Sequence, residues 1–308
     1  MVVLYLFNNY MIYWLGWPET WQIFSHFLGN EGSELSEEQS TRGIVLLVGY
    51  ALTIGIAVTL TLISPSRSLQ DDSEFYSRLA AFVVRAAFWS VLLIGLTDTI
   101  ISFLRVEDML LSVAGQELTT QLGRPIFRGL YVHYPLIAIS IIIAFFTRTL
   151  GFMWLAFLVV LAEFLIVVTR FVFSYEQAFM GDLVRFWYAA LFLFASAYTL
   201  LSEGHVRVDV LYANFSKKNK ARSNIAGSLL LGLPFCWTIL TQGMAGKGSS
   251  INSPLLSFEI SQSGFGMYVK YLMAGFLVVF AVSMAIQFVS AILSSVETLN
   301  DADKSDSH

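Results

Sequence analysis

The chain has 308 residues, of which 56% are hydrophobic and only 13% charged, with a net charge of −4. Soluble domains carry about 25% charged residues, so a water-soluble globule is excluded. The apolar excess must face lipid, where a spanning segment has to satisfy its own backbone hydrogen bonds. No groove-like basic set is present, which excludes a nucleic-acid partner, and a single cysteine, Cys236, excludes an intrachain disulfide.

Residues 1–18 contain no Lys or Arg, and no small-residue cleavage site follows, unlike a cleaved signal. Tyr5, Phe7, Tyr10, Tyr13, Trp14 and Trp17 suit a membrane–water interface, and Asn8 and Asn9 interrupt the apolar run. An interfacial or re-entrant helix is expected here. The acidic segment with Glu31, Glu34, Glu37 and Glu38 reads as a solvated linker.

A membrane span needs about 20 mainly apolar residues. Residues 43–66, 223–246 and 271–296 are uncharged runs bounded by charges, and Pro65 closes the first. Residues 79–104 are apolar apart from Arg85 and Asp98, residues 129–147 are uncharged with His133 and Pro135 near their start, and residues 149–169 carry Glu163. Residues 183–202 hold only Arg185. The expected fold is therefore all-α: a polytopic helical membrane protein with about seven transmembrane helices, three plus four, and an N-terminal interfacial helix. Its sections are an N-terminal interfacial or external segment (1–42), a three-span extension (43–148), a four-span domain (149–297) and an acidic tail (298–308).

Orientation follows from Lys and Arg in short loops. Arg207, Lys217, Lys218, Lys220 and Arg222 lie between the fifth and sixth spans and mark the cytoplasmic side, whereas residues 244–267 contain only Lys247 and should be external. The C-terminus is then cytoplasmic and the N-terminus external. The first half is nearly balanced, with Arg105, Arg124 and Arg128 external against Arg67, Arg78 and Arg148 internal, so its orientation is inherited by counting back.

Charges at membrane depth are functional candidates by default. Arg85 and Asp98 share a span but are separated by about 20 Å at 1.5 Å per residue, so they do not pair with each other. Arg85 is placed to snorkel to the interface. Asp98 and Glu163 admit two readings, an ion or proton site or inter-helix pairing that fixes packing. Of the four histidines, His26, His133, His205 and His308, only His205 has a possible co-ligand nearby, Asp209. Haem, zinc and other cofactors are not expected. No phosphate loop or nucleophile motif is present, so catalysis is not expected.

The run Glu203-Gly-His-Val-Arg-Val-Asp-Val-Leu-Tyr212 directly follows the fifth span. Gly204 suits a helix C-terminus, His205 and Arg207 suit its negative dipole end, and Asp209 is placed to cap an amphipathic surface helix over 210–222. A well-capped turn accounts for these residues without any ligand.

The His205-Val-Arg-Val-Asp209 run, directly after a span, also resembles the signature of the small permease subunit of tripartite ATP-independent periplasmic (TRAP) transporters, the DctQ family. Arg170-Phe171-Val172-Phe173 is similar to the family's Arg-aromatic-x-Phe after its first span, and Asp182 stands where an acidic residue opens its second. Glu259-Ile-Ser261 followed by Lys270 is similar to the pattern before its last span. The resemblance covers roughly residues 150–297. The family often shows an acidic pair where this chain has only Asp182, and three additional spans precede the usual four.

The resemblance implies a subunit of the bacterial inner membrane in a sodium-coupled secondary transporter for organic acids. A periplasmic binding protein delivers the substrate to a large permease, and the small subunit scaffolds that permease. It further implies that His205, Arg207 and Asp209 order the cytoplasmic turn, and that Glu259, Ser261 and Lys270 order the external approach to the last span. Trp187 and Trp237 are expected at lipid level, against the permease or the bilayer. From the residues alone, a self-contained ion-coupled transporter or channel using Asp98 and Glu163 stays open beside this reading.

Overall fold

The computed structural model describes the chain except residues 29–34, 64–67, 149–150, 176, 202–211, 262–265 and 307–308. The described residues are predominantly helical, without strands. Seven helical stretches are long and apolar enough to cross a membrane: Glu37–Ile63, Leu69–Val106, Pro125–Phe146, Met153–Val172, Phe179–Leu200, Lys217–Gly243 and Lys270–Ala302. They coincide with the seven spans expected from the sequence.

The chain divides by packing into residues 1–68 and 69–308. In the first unit, α1 (Val2–Tyr13) has 12 residues, about 18 Å at 1.5 Å per residue, too short for a hydrocarbon core of about 30 Å. Helix α2 (Thr20–Phe27) lies against α3 (Glu37–Ile63), where Gly43 leaves room for Ile23. Glu37 and Glu38 are not linker residues. They form the first turn of α3, because Ser36 and Gln39 close a reciprocal capping box, each side chain accepting from the other's backbone N–H at 3.2 Å. Acidic residues at that end also complement the helix dipole.

The second unit is built on two long helices, α4 (Leu69–Val106) and α13 (Lys270–Asp306). At one end of the bundle small and polar residues of the two helices face each other. Ser73 Oγ donates to Ser290 O (2.9 Å), Ser290 Oγ donates to Ser73 O (2.7 Å), and Ser77 and Gln287 bond at 3.1–3.2 Å. Small residues let membrane helices approach, and their polar side chains add interhelical hydrogen bonds.

Around this pair lie the remaining helices of the unit, α5 to α12. Helix α5 (Leu110–Leu122) leads to α6 (Pro125–Arg128), which a π turn at Gly129–His133 joins to α7 (Tyr134–Phe146), packed on α4. Helix α9 (Ala178–Leu201) packs on both α4 and α13, and α8 (Phe152–Val172) packs on α9. Helix α10 (Lys217–Gly227) continues through a π turn at Ser228–Gly232 into α11 (Leu233–Gly243), and the two lie along α13. A short α12 (Asn252–Ser257) precedes the last span.

Two expectations are corrected here. No helix runs over 210–222: Tyr212–Asn214 is a single 3₁₀ turn, and α10 starts at Lys217 because Ser216 Oγ accepts the Asn219 N–H at 3.3 Å. The basic cluster is thus the first turn of the sixth span. Trp187 is not at lipid level either. It is 3% exposed, and it lies against Gly95, where an added Cβ would come within 2.4 Å of its Nε1. Phe179, Leu183, Phe186, Ala190, Phe194 and Ala197 on the same helix are buried with it. Replacing Gly95 with Val is expected to force this contact apart and destabilise the bundle by about 1–3 kcal/mol, read as a lowered thermal midpoint in detergent.

Candidate functional site

The site assembles at the end of the bundle opposite the serine contacts, where residues 258–269 lead into α13. Phe258 closes α12 with a left-handed backbone, φ +50°. The next residue, Glu259, donates its N–H to Pro254 O (3.0 Å), accepts the Tyr271 N–H on its carbonyl (3.0 Å), and takes Lys270 Nζ on its carboxylate at 2.5 Å. The first turn of α13, whose amides have no partner within the helix, is therefore tied to the segment that precedes it.

Two carboxylates from two other helices hold the adjoining backbone. Asp182 Oδ2, on α9, accepts the Met267 N–H at 3.1 Å and the Ser261 hydroxyl at 2.7 Å. Asp98 Oδ2, on α4, accepts the next amide, Tyr268 N–H, at 2.8 Å. Consecutive amides thus end on different helices.

The second oxygen of Asp98 is also occupied. Oδ1 accepts from Arg128 Nη1 at 2.9 Å and from His133 Nε2 at 3.2 Å, and both the Asp98 and Arg128 side chains are fully buried. A carboxylate has only acceptors, so Nε2 carries the proton. Nδ1 then accepts a hydrogen bond from the Tyr271 hydroxyl at 2.8 Å. This tautomer is assigned from partner chemistry, and Arg128 Nη2 is left buried without a hydrogen-bond partner among the described residues. Arg128 Nε donates to Leu122 O (3.0 Å), and its guanidinium lies 4.1 Å from the centre of the Tyr268 ring. Arg105 stands 4.8 Å from the same ring, donating to Tyr268 Oη (2.5 Å) and Gly266 O (3.1 Å). Tyr268 Oη in turn donates to Gly123 O at 3.0 Å.

The π turn at Gly129–His133 is what allows this. It inserts a wide turn between α6 and α7, as π segments do at functional positions, and Arg128 and His133 at its two ends both reach Asp98.

Of the residues singled out by sequence, Asp182, Ser261 and Lys270 line one cleft of about 390 Å³ together with Arg185, Met267, Val269 and Met273, and Glu259 pairs with Lys270 at its edge. Arg170 is exposed near the end of α8, and Arg85 is half-buried on α4. His205, Arg207 and Asp209 lie outside the described residues. Asp98 and Glu163 are not brought together. Asp98 is enclosed in the network above, whereas Glu163 is exposed at the middle of α8. A carboxylate at the centre of a spanning helix costs about 2.5–3.5 kcal/mol on insertion scales.

Sequence reasoning missed Arg128, His133 and Tyr268 as partners of Asp98, counting Arg128 among the external loop charges and noting His133 only as a residue near the start of a span. Among the described residues no group of three or more His, Cys, Asp or Glu side chains is placed to hold a metal ion.

Removing one partner of a buried ion pair leaves an uncompensated charge, at about 3–5 kcal/mol. Asp98→Leu is expected to destabilise by that order in detergent melts. The Asp98→Leu/Arg128→Met double variant is expected to recover most of the loss, which a double-mutant cycle measures.

The sequence model of one family, described as "Tripartite ATP-independent periplasmic transporters, DctQ component", matches residues 156–298, slightly under half of the chain. No curated protein and no solved structure matches the chain.

Proposed function

We propose that this chain, whose residues 156–298 are a DctQ-component segment, is the small membrane subunit of a sodium-coupled TRAP transporter for organic acids and acts as scaffold for the large permease. The observation that carries the reading is the family match itself. The motif residues Asp182, Glu259, Ser261 and Lys270 fall within the matched segment and surround one cleft at the approach to α13. In this reading the segment 149–297 is the working subunit, and the extension 43–148 braces it through Asp98 and Arg128. The basic start of α10 faces the cytoplasm, the 244–267 connection faces the periplasm where the substrate-binding protein delivers its cargo, and the chain sits in the bacterial inner membrane with its N-terminus outside.

A scaffold role is supported by what the charged residues do. Asp98 spends both oxygens on protein donors, and Glu163 faces outward on another helix. Substrate and ion sites of secondary transporters are typically built from broken helices meeting near the midplane; here the buried hydrogen-bonded polar groups described above gather at the two ends of the bundle, and the one mid-depth acid, Glu163, faces outward.

The decisive measurement is co-purification with the large permease in mild detergent, joined to transport with and without this chain. The expected result is a stable complex and loss of uptake when the chain is absent. If it runs alone while the permease transports normally, the reading is wrong. The rival, a self-contained ion-coupled transporter or channel, requires flux by the isolated chain in liposomes, with altered ion dependence in Asp98→Asn or Glu163→Gln. The scaffold reading expects these variants to change assembly or nothing, and never ion dependence.

A further inference from the structure

Helix α8 is the least enclosed span of the second unit, with only 11% of its apolar window buried. Leu155 and Ala162 are its buried residues, on the side it packs against α9. Flanking that side, the half-buried Ala156 and the exposed Val160, Glu163, Val167 and Arg170 recur at spacings of four, three, four and three. That is the spacing with which one helix lies along another over its whole length. Val160 is 67% exposed and Val167 50% exposed, and Ala156 is the small residue that permits close approach.

Glu163 is the twelfth residue of the 21 in α8, about 15 Å from either end at 1.5 Å per residue. It is exposed at mid-depth, with no hydrogen bond or ion pair among the described residues. Lipid tails offer no donor to a carboxylate there. A second copy of this chain related by a two-fold axis along the membrane normal offers only another Glu163 at the same depth, and like charges repel. An apolar seam interrupted by one acid therefore fits a helix that brings a donor.

We propose that this seam of α8 docks a transmembrane helix of the large permease, and that this helix presents a Lys, Arg, Asn or Gln side chain to Glu163 at mid-membrane. The proposal rests on the small-subunit reading above and adds the surface and the chemistry of the contact. Docking turns a carboxylate that is costly in lipid into one half of a buried pair, so Glu163 sets the depth at which the two helices meet.

The test uses the full chain co-expressed with the large permease. A benzophenone amino acid replaces Val160 on the seam or, separately, Leu165, which is 44% exposed on another face. Illumination is expected to cross-link position 160 to the permease about tenfold more than position 165. Glu163→Lys is expected to lower permease recovery in mild detergent about tenfold, and Glu163→Gln, which keeps a hydrogen-bonding group, to stay near the unsubstituted chain. The cross-link reads the seam with Glu163 intact, so a folding defect in Glu163→Lys leaves that measurement decisive. Cross-links from position 160 to lipid only, or to a second copy of this chain, overturn the seam, as does full permease recovery by Glu163→Lys. Failure of the unsubstituted chain to recover any permease overturns the small-subunit reading instead.

Discussion

The carboxylate of Asp98 is the point on which the second unit depends. It sits without solvent access, and one oxygen neutralises Arg128 and orients His133 while the other accepts the Tyr268 amide. Buried ion pairs contribute little net stability, because desolvation offsets the attraction. Their value lies in geometry. Here the geometry joins α4, the α6–α7 hinge and the start of α13 at one group of atoms. Asp182 performs the matching task from α9, holding the neighbouring amide. Between them the two acids fix where the last helix begins.

At the opposite end the same two helices, α4 and α13, meet through hydroxyl groups instead of charges. Ser73 and Ser290 exchange hydrogen bonds with each other's carbonyls. Such contacts in a bilayer average about 0.6 kcal/mol each, so this end contributes closeness more than strength. The bundle is thus pinned electrostatically at one end and sutured by small polar residues at the other, with an apolar core of Val84, Phe88, Phe186, Phe194 and Phe276 between.

The spans were legible because lipid imposes a simple rule: a long run without charges crosses. The family was legible because the His205-Val-Arg-Val-Asp209 run directly follows a span and stands in order with Asp182, Glu259, Ser261 and Lys270, and the family model matches residues 156–298. Caps were legible in principle, and Ser36-Glu-Glu-Gln39 carries a capping-box spacing that its acidic residues obscured. Trp187 was misplaced because aromatic composition says nothing about which face a residue occupies, although Leu183, Ala190, Phe194 and Ala197 recur at helical spacing and marked the buried side. The partners of Asp98 were beyond reach. Arg128 is 30 residues away and Tyr268 170, and no local periodicity links positions so distant.

The sequence separations also carry a timetable for biogenesis. Asp98 and Arg128 are only 30 residues apart, in consecutive spans, so the two expensive charges leave the ribosome nearly together. They can enter the bilayer as a neutral hairpin before the last span has been made. The Tyr268 amide arrives some 140 residues later and finds a counter-charged, oriented carboxylate already waiting. The early spans thus prepare a socket during synthesis, and the last helix is the piece that closes it.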